Sequence, residues 1–164
     1  MPSEYGLGFG ILNNTNSSWY YETLLTDGNV TASLFSTSYS GLGLSAGDFA
    51  TFSTLLFNAT NGTFMCTSTN CYSTTSCATN SQNLTELSFQ IRFAKNSSNY
   101  LIMPLESLAV TNPATGYCEL LISVPIGSDA DQTLFGSQFF SNFFGSFETT
   151  DPAGANATQV MTLY

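Results

Sequence analysis

Apolar Leu87, Phe89, Ile91 and Phe93 alternate with Ser88, Gln90, Arg92 and Ala94, the period-two pattern of a half-buried strand. A polar turn at Asn96 leads to a second apolar run over residues 100–103, which Pro104 closes, so the two runs predict a β-hairpin. Upstream the period changes. Phe49, Phe52, Leu55 and Leu56 recur at helical intervals behind Ser45-Ala46-Gly47-Asp48, which has capping-box spacing, and predict an amphipathic helix over 46–57 with Asp48 at its third position. Residues 119–124 form another apolar run of strand length, bounded by Pro125 and Gly127. The long apolar stretch 134–147 is interrupted by Gly136 and Gly145. Each would cost a continuous helix about 1 kcal/mol relative to alanine, so a strand, a glycine turn, a short helix and a further strand are predicted instead.

Three weaker patterns complete the map. Gly6-Leu7-Gly8-Phe9-Gly10 reads as a glycine-spaced apolar turn. Ser18 reads as the N-cap of a short helix over 19–25, ended by Asp27-Gly28. Residues 67–82, rich in Ser, Thr and Asn, read as a long polar loop held by disulfides. The fold class expected is mainly β with a few short helices, in one domain spanning 1–164.

Composition narrows the chemistry. The chain has 164 residues, 43% of them hydrophobic and 14% aromatic, enough to fill one core and to argue against disorder. It carries 2 Lys plus Arg against 11 Asp plus Glu, for a formal charge of −9, and no His. With Arg92 and Lys95 as the only cations, both read as solvated, no basic surface is available for nucleic acid or an anionic membrane. Without histidine there is no Ser-His-Asp or Cys-His catalysis and no imidazole-based zinc site. No apolar run approaches 18 residues, so no membrane span is expected. The first residues lack the basic and apolar regions of a signal peptide, which makes a mature or truncated form the expectation.

Other features point to an oxidising, extracellular compartment. Glycosylation sequons begin at Asn13, Asn16, Asn29, Asn58, Asn61, Asn83, Asn96 and Asn156, which is 8 of the 14 Asn. Residue frequencies alone would produce about 4. Four cysteines, Cys66, Cys71, Cys77 and Cys118, lack zinc-ribbon spacing and read as a disulfide framework with three possible pairings. A surface of Ser, Thr and Asn with almost no cations suits a sugar-covered exterior.

The segment Leu134-Phe135-Gly136-Ser137-Gln138-Phe139-Phe140-Ser141-Asn142-Phe143-Phe144-Gly145-Ser146-Phe147-Glu148 resembles, without a gap, a C-terminal-lobe segment of the pepsin-like aspartic proteases, of the type Ile-Leu-Gly-Asp-x-Phe-Leu-x-x-Tyr-Tyr-x-Val-Phe-Asp. The hairpin ending in Pro104 is similar to the family's hairpin that precedes a short helical turn. Thr63-Phe64-Met65-Cys66 resembles the strand entering the family's C-lobe disulfide, whose partner falls at Cys118. The resemblance therefore implies Cys66–Cys118, which leaves Cys71–Cys77. Residues 6–10 look like a glycine turn of the first lobe, and residues 21–36, ending in Leu34-Phe35-Ser36, like the helix and strand that follow it. The pieces join near residues 37–43, where a complete family member has a long span that is missing here.

What the resemblance does not bring is a catalytic couple. The family uses two aspartates, each in an Asp-Thr/Ser-Gly loop, that share one proton and hold a water. This chain has neither motif. Tyr39-Ser40-Gly41, followed by Leu42-Gly43-Leu44 and the capped helix, resembles the order after the family's second motif, an alignment that puts Tyr39 where the aspartate belongs; the alternative is that Tyr39-Ser40-Gly41 is a strand end and the motif's loop falls in the missing span. A phenol holds its proton at acidic and neutral pH and cannot stand in for an ionised carboxylate. The remaining acids have plain readings: Asp27 and Asp151 as turn residues, Glu148 as a strand-ending residue by resemblance, and Asp129 and Asp131 as loop residues lacking the other ligands of a calcium loop. The phenylalanines of 135–147 read as core or subunit packing. No cofactor and no metal is expected.

Two functions follow. One is a non-catalytic, secreted, N-glycosylated pepsin-like protein with a structural or adhesive role in an extracellular coat, matrix or fibril, assembled with copies of itself or a companion chain. The other is a partial chain of an aspartic endopeptidase whose catalytic loops lie outside this sequence.

Overall fold

A computed structural model describes residues 5–15, 18–22, 33–35, 39–94, 101–126, 133–143, 145–150 and 158–163. The chain is sheet-rich with a few short helices. A four-stranded antiparallel sheet takes β1 (Tyr5–Asn13), β2 (Ser18–Glu22), β7 (Leu87–Ala94) and β8 (Leu101–Pro104) in the order β2-β1-β7-β8. A second, mixed sheet runs β3 (Ser33–Phe35), β11 (Thr133–Phe135), β4 (Leu42–Gly43), β10 (Cys118–Ser123), β6 (Asn70–Ser73), β5 (Met65–Cys66), with β9 (Ala109–Thr111) also paired to β10. A separate hairpin joins β12 (Gly145–Thr150) to β13 (Thr158–Leu163).

The helix predicted over 46–57 is α1 (Ala46–Ala59), and its N-cap is Ser45, whose Oγ accepts from the Asp48 amide at 3.2 Å. Its inward face buries Phe49, Phe52 and Leu56. Phe52 meets Phe89 of β7 edge to face, ring centroids 5.7 Å apart, so the helical and the two-residue periods interlock in one core. Phe64, Phe89, Phe135, Phe139, Ile11, Leu42 and Leu44 are fully buried with them. The predicted hairpin is β7–β8, and Pro104 ends it before a 3₁₀ turn over Leu105–Leu108. The 119–124 run is β10. The glycine-broken stretch is β11, Gly136, α3 (Ser137–Phe140) and β12, in the order expected.

Several expectations are corrected. Residues 6–10 are strand, not turn, because β1 is paired on both sides, to β2 and β7. Its glycines accompany a register shift between Tyr5 and Gly8, where β1 carries one residue more than β7, a bulge of the kind glycine permits. The helix expected over 19–25 is strand over Ser18–Glu22. Trp19, Tyr20 and Tyr21 find ladder partners in Leu12, Ile11 and Gly10, and pairing outweighs the capping signal; residues 23–25 lie outside the described ones. Over residues 87–91, β7 is buried on both faces rather than half-buried, with Ser88 at 4% and Gln90 at 3% exposure. Asn14 Nδ2 donates to Ser88 Oγ at 2.9 Å, so the buried Ser88 hydroxyl is paired. The polar stretch 67–82 contains β6 and runs into α2 (Ser81–Glu86).

The disulfide pairing is also corrected. The bonds are Cys66–Cys71 and Cys77–Cys118. Cys66 and Cys71 are register partners in the β5–β6 hairpin, whereas β6 separates Cys66 from β10. Two strand spacings, about 9–10 Å, exceed the reach of a disulfide. Cys77 is carried to Cys118 by the turn after β6, where the Cys118 amide donates to Thr75 O at 2.8 Å and the Cys77 amide to Thr111 Oγ1 at 3.3 Å.

Non-reducing peptide mapping is expected to return these two pairs. Their loops span 5 and 41 residues. Replacing both Cys77 and Cys118 by alanine should therefore cost about 4 kcal/mol, and replacing Cys66 and Cys71 about 2 kcal/mol, on the chain-entropy model, as read by urea unfolding.

Candidate functional site

The candidate site is the end of β11. β3 lies beside β11 in parallel and β4 lies on its other side antiparallel. The chain passing from β3 to β4 must therefore wrap around the tip of β11. Residues 39–41 make that turn and are held by three backbone bonds: Gly136 N to Gly41 O at 2.9 Å, Ser137 N to Tyr39 O at 2.8 Å, and Gln138 N to Ser40 O at 3.1 Å. Glycine is required for space. A Cβ on Gly136 would run into the carbonyls of Tyr39 and Gly41, and one on Gly41 into the Leu121 carbonyl. Leu134-Phe135-Gly136 and Tyr39-Ser40-Gly41 are thus parts of one structural unit.

Tyr39 is half-buried, and its hydroxyl is hydrogen-bonded to Ser123 Oγ at the end of β10. Sequence reasoning missed Ser123, which comes from a strand 84 residues away, and no motif marks it. Two hydroxyls in contact can orient a polar group, but they are not the proton-sharing carboxylate couple that activates water. Asp48 is the only aspartate among the described residues, and it belongs to the start of α1. Burial raises its pKa from 3.8, and a hydrogen bond to Ser45 pulls it back down. Among the described residues, no group of three His, Cys, Asp or Glu could hold a metal ion.

Phe135 and Phe139 are buried, with ring centroids 4.7 Å apart, and Phe139 also meets Phe140 at 5.5 Å and Phe143 at 4.9 Å. Of the sequon asparagines, Asn58 and Asn61 are exposed, while Asn13 and Asn83 are half-buried at the end of β1 and in α2. Asn16, Asn29, Asn96 and Asn156 lie outside the described residues, as do Asp27, Lys95, Asp129, Asp131 and Asp151. Arg92 lies in β7 and Glu148 in β12. Among the described residues, no helix is long and apolar enough to cross a membrane. Compared with known proteins, the chain matches no family model and no curated protein.

Two sets of variants check this geometry. Gly136→Ala should lose about 3 kcal/mol or fail to fold, since backbone must move, whereas Gly47→Ala, with open space around it in α1, should gain about 0.5–1 kcal/mol. Because the Asp48 pKa is raised, the folded chain holds that proton more tightly than the unfolded one. The associated stability is complete below the unfolded value and is lost as pH rises through the folded one. Asp48→Asn should therefore match the parent at about pH 3 and gain on it toward pH 7, measured by urea melts.

Proposed function

We propose that this protein is a non-catalytic, secreted, N-glycosylated protein built on a pepsin-like lobe, with a structural or adhesive role in an extracellular coat, matrix or fibril. One observation carries the reading. The loop that resembles the family's second catalytic loop is locked against Gly136 with a tyrosine, bonded to a serine, in the aspartate's place. If the resemblance holds, a loop fixed in this way with a phenol at the aspartate's position is a scaffold without the reaction.

Two disulfides suit an oxidising compartment, and exposed Asn58 and Asn61 offer acceptors for N-linked glycans. Met65, Tyr72, Glu119 and Val110 form one cross-strand row over β5, β6, β10 and β9. Tyr117 stacks on Tyr72 with centroids 5.9 Å apart. Met65, Val110 and Tyr117 are exposed, apolar surface of the kind used by assemblies of like or companion chains.

Secreted from a glycosylating host, the chain should lose mass in steps of whole glycans on enzymatic deglycosylation. It should also cleave no denatured protein substrate between about pH 2 and 7. Light scattering should find an oligomer. Acid cleavage blocked by a statine-type inhibitor would establish the endopeptidase reading instead, and a stable monomer would remove the assembly role.

A further inference from the structure

α1 ends in a lock that brings a sequon asparagine beside an exposed ring. After Thr60 the backbone turns left-handed at Asn61 (φ 50°) and Gly62 (φ 76°), and Asn61 is the only non-glycine residue in that region among the described ones. The Gly62 amide donates to Phe57 O at 2.8 Å and the Asn61 amide to Asn58 O at 3.4 Å. These are the paired bonds of a Schellman motif, with asparagine at the left-handed position that glycine usually takes. A Cβ on Gly62 would meet Cε2 and Cζ of Phe57 at 3.2 Å, so the ring lies against the residue next to Asn61. Yet Phe57 is 53% exposed, off the face on which α1 buries Phe49, Phe52 and Leu56.

The neighbouring acceptor is placed differently. Asn58 is still helical, and its sequon hydroxyl, Thr60 Oγ1, is buried, donating to Leu56 O at 2.8 Å and accepting from the Phe64 amide at 3.2 Å. Asn61 stands at the turn itself, one residue from the Phe57 ring's contact.

We infer that the first N-acetylglucosamine of a glycan on Asn61 packs on the open face of Phe57 and fastens the end of α1. This rests on the glycoprotein reading above. The attachment forms a bond from Asn61 Nδ2 to the anomeric carbon of a lipid-pyrophosphate-linked oligosaccharide; the sugar–pyrophosphate bond breaks, the lipid pyrophosphate leaves, and Nδ2 loses one proton. The ring's electron-rich face then meets the sugar's electropositive C–H face, and the exposed apolar surface of Phe57 is covered.

The test uses the full chain secreted from a glycosylating eukaryotic host. Glycopeptide mass mapping is expected to find Asn61 occupied. Unfolding midpoints of the parent, Asn61→Gln, Phe57→Ala and the double variant then form a cycle, in which any cost of losing asparagine from the left-handed turn cancels. Asn61→Gln should lower the midpoint by about 2–4 °C more when Phe57 is present than when it is alanine. Thr63→Ala, which removes the sugar and keeps Asn61, should show the same dependence on Phe57. Trimming to the single attached N-acetylglucosamine should leave the effect in place. Equal shifts in both backgrounds overturn the contact and leave the glycoprotein reading standing, as does an unmodified Asn61 beside other occupied sequons. A chain with no sequon occupied overturns both.

Discussion

Three backbone hydrogen bonds at the tip of β11 carry the central constraint of this structure. β3 and β4 straddle β11 and run in opposite directions, so the chain between them must cross the end of the strand they enclose. That crossing buries backbone from both segments, and buried N–H and C=O groups must be paired. The amides of Gly136, Ser137 and Gln138 supply the partners for the carbonyls of residues 39–41. Each bond adds only about 1 kcal/mol net, but a buried group left unpaired costs more. The pairing is possible only if the segments touch at backbone distance, which glycine at position 136 allows, while glycine at 41 lets the crossing chain lie against the Leu121 backbone. The same contact fixes Tyr39 against Ser123, so the chemistry of the site is set by fold geometry before any substrate is considered.

From that crossing the packing spreads both ways. On one side, Gly136 opens α3, whose Phe139 packs on Phe135. On the other, β4 runs into the Ser45 cap and then α1, which presses Phe52 onto Phe89 of the other sheet. β10 is the hub of the mixed sheet. It pairs with β4, β6 and β9, and Cys118 at its start ties it to the turn after β6.

What the sequence made legible follows from how local each cause is. The capped α1, the β7–β8 hairpin and the strand–glycine–helix–strand order after Leu134 are each encoded within about a dozen neighbouring residues, by period, cap or breaker. What was not legible depends on partners distant in the chain. Trp19, Tyr20 and Tyr21 become strand because β1 offers a ladder, and residues 6–10 extend into a strand that β7 pairs along one edge and β2 joins from Phe9 on the other. Gln90 reads as outward-facing, yet its face of the sheet is covered and it is buried. Cysteine spacing leaves pairings open, and the choice is made by register, which puts Cys71 opposite Cys66. At the site, glycine marked both halves of the crossing, yet nothing local pairs Tyr39 with Ser123.

The surface obeys a different economy from that of most acidic proteins. With 11 acids against 2 cations, ion pairs cannot organise it, and hydroxyls and amides take their place. Along α1, Thr51, Ser53 and Thr54 turn their hydroxyls back to the carbonyls of Gly47, Phe49 and Ala50, a local bonding that consumes donors which would otherwise face water. Between β5 and β6, the Thr67 hydroxyl bonds to both Asn70 O and Asn70 Oδ1. Hydroxyls and amides that satisfy one another in this way leave fewer donors free, and Phe57, Met65, Val110, Tyr117 and Ile126 stand exposed among them. Such a surface gains most from attached sugar or an apposed partner, because either covers apolar area without needing countercharges. The sequon pair at the end of α1 and the row from Met65 to Val110 across the mixed sheet, with Tyr117 stacked on Tyr72, lie where those two kinds of cover would act.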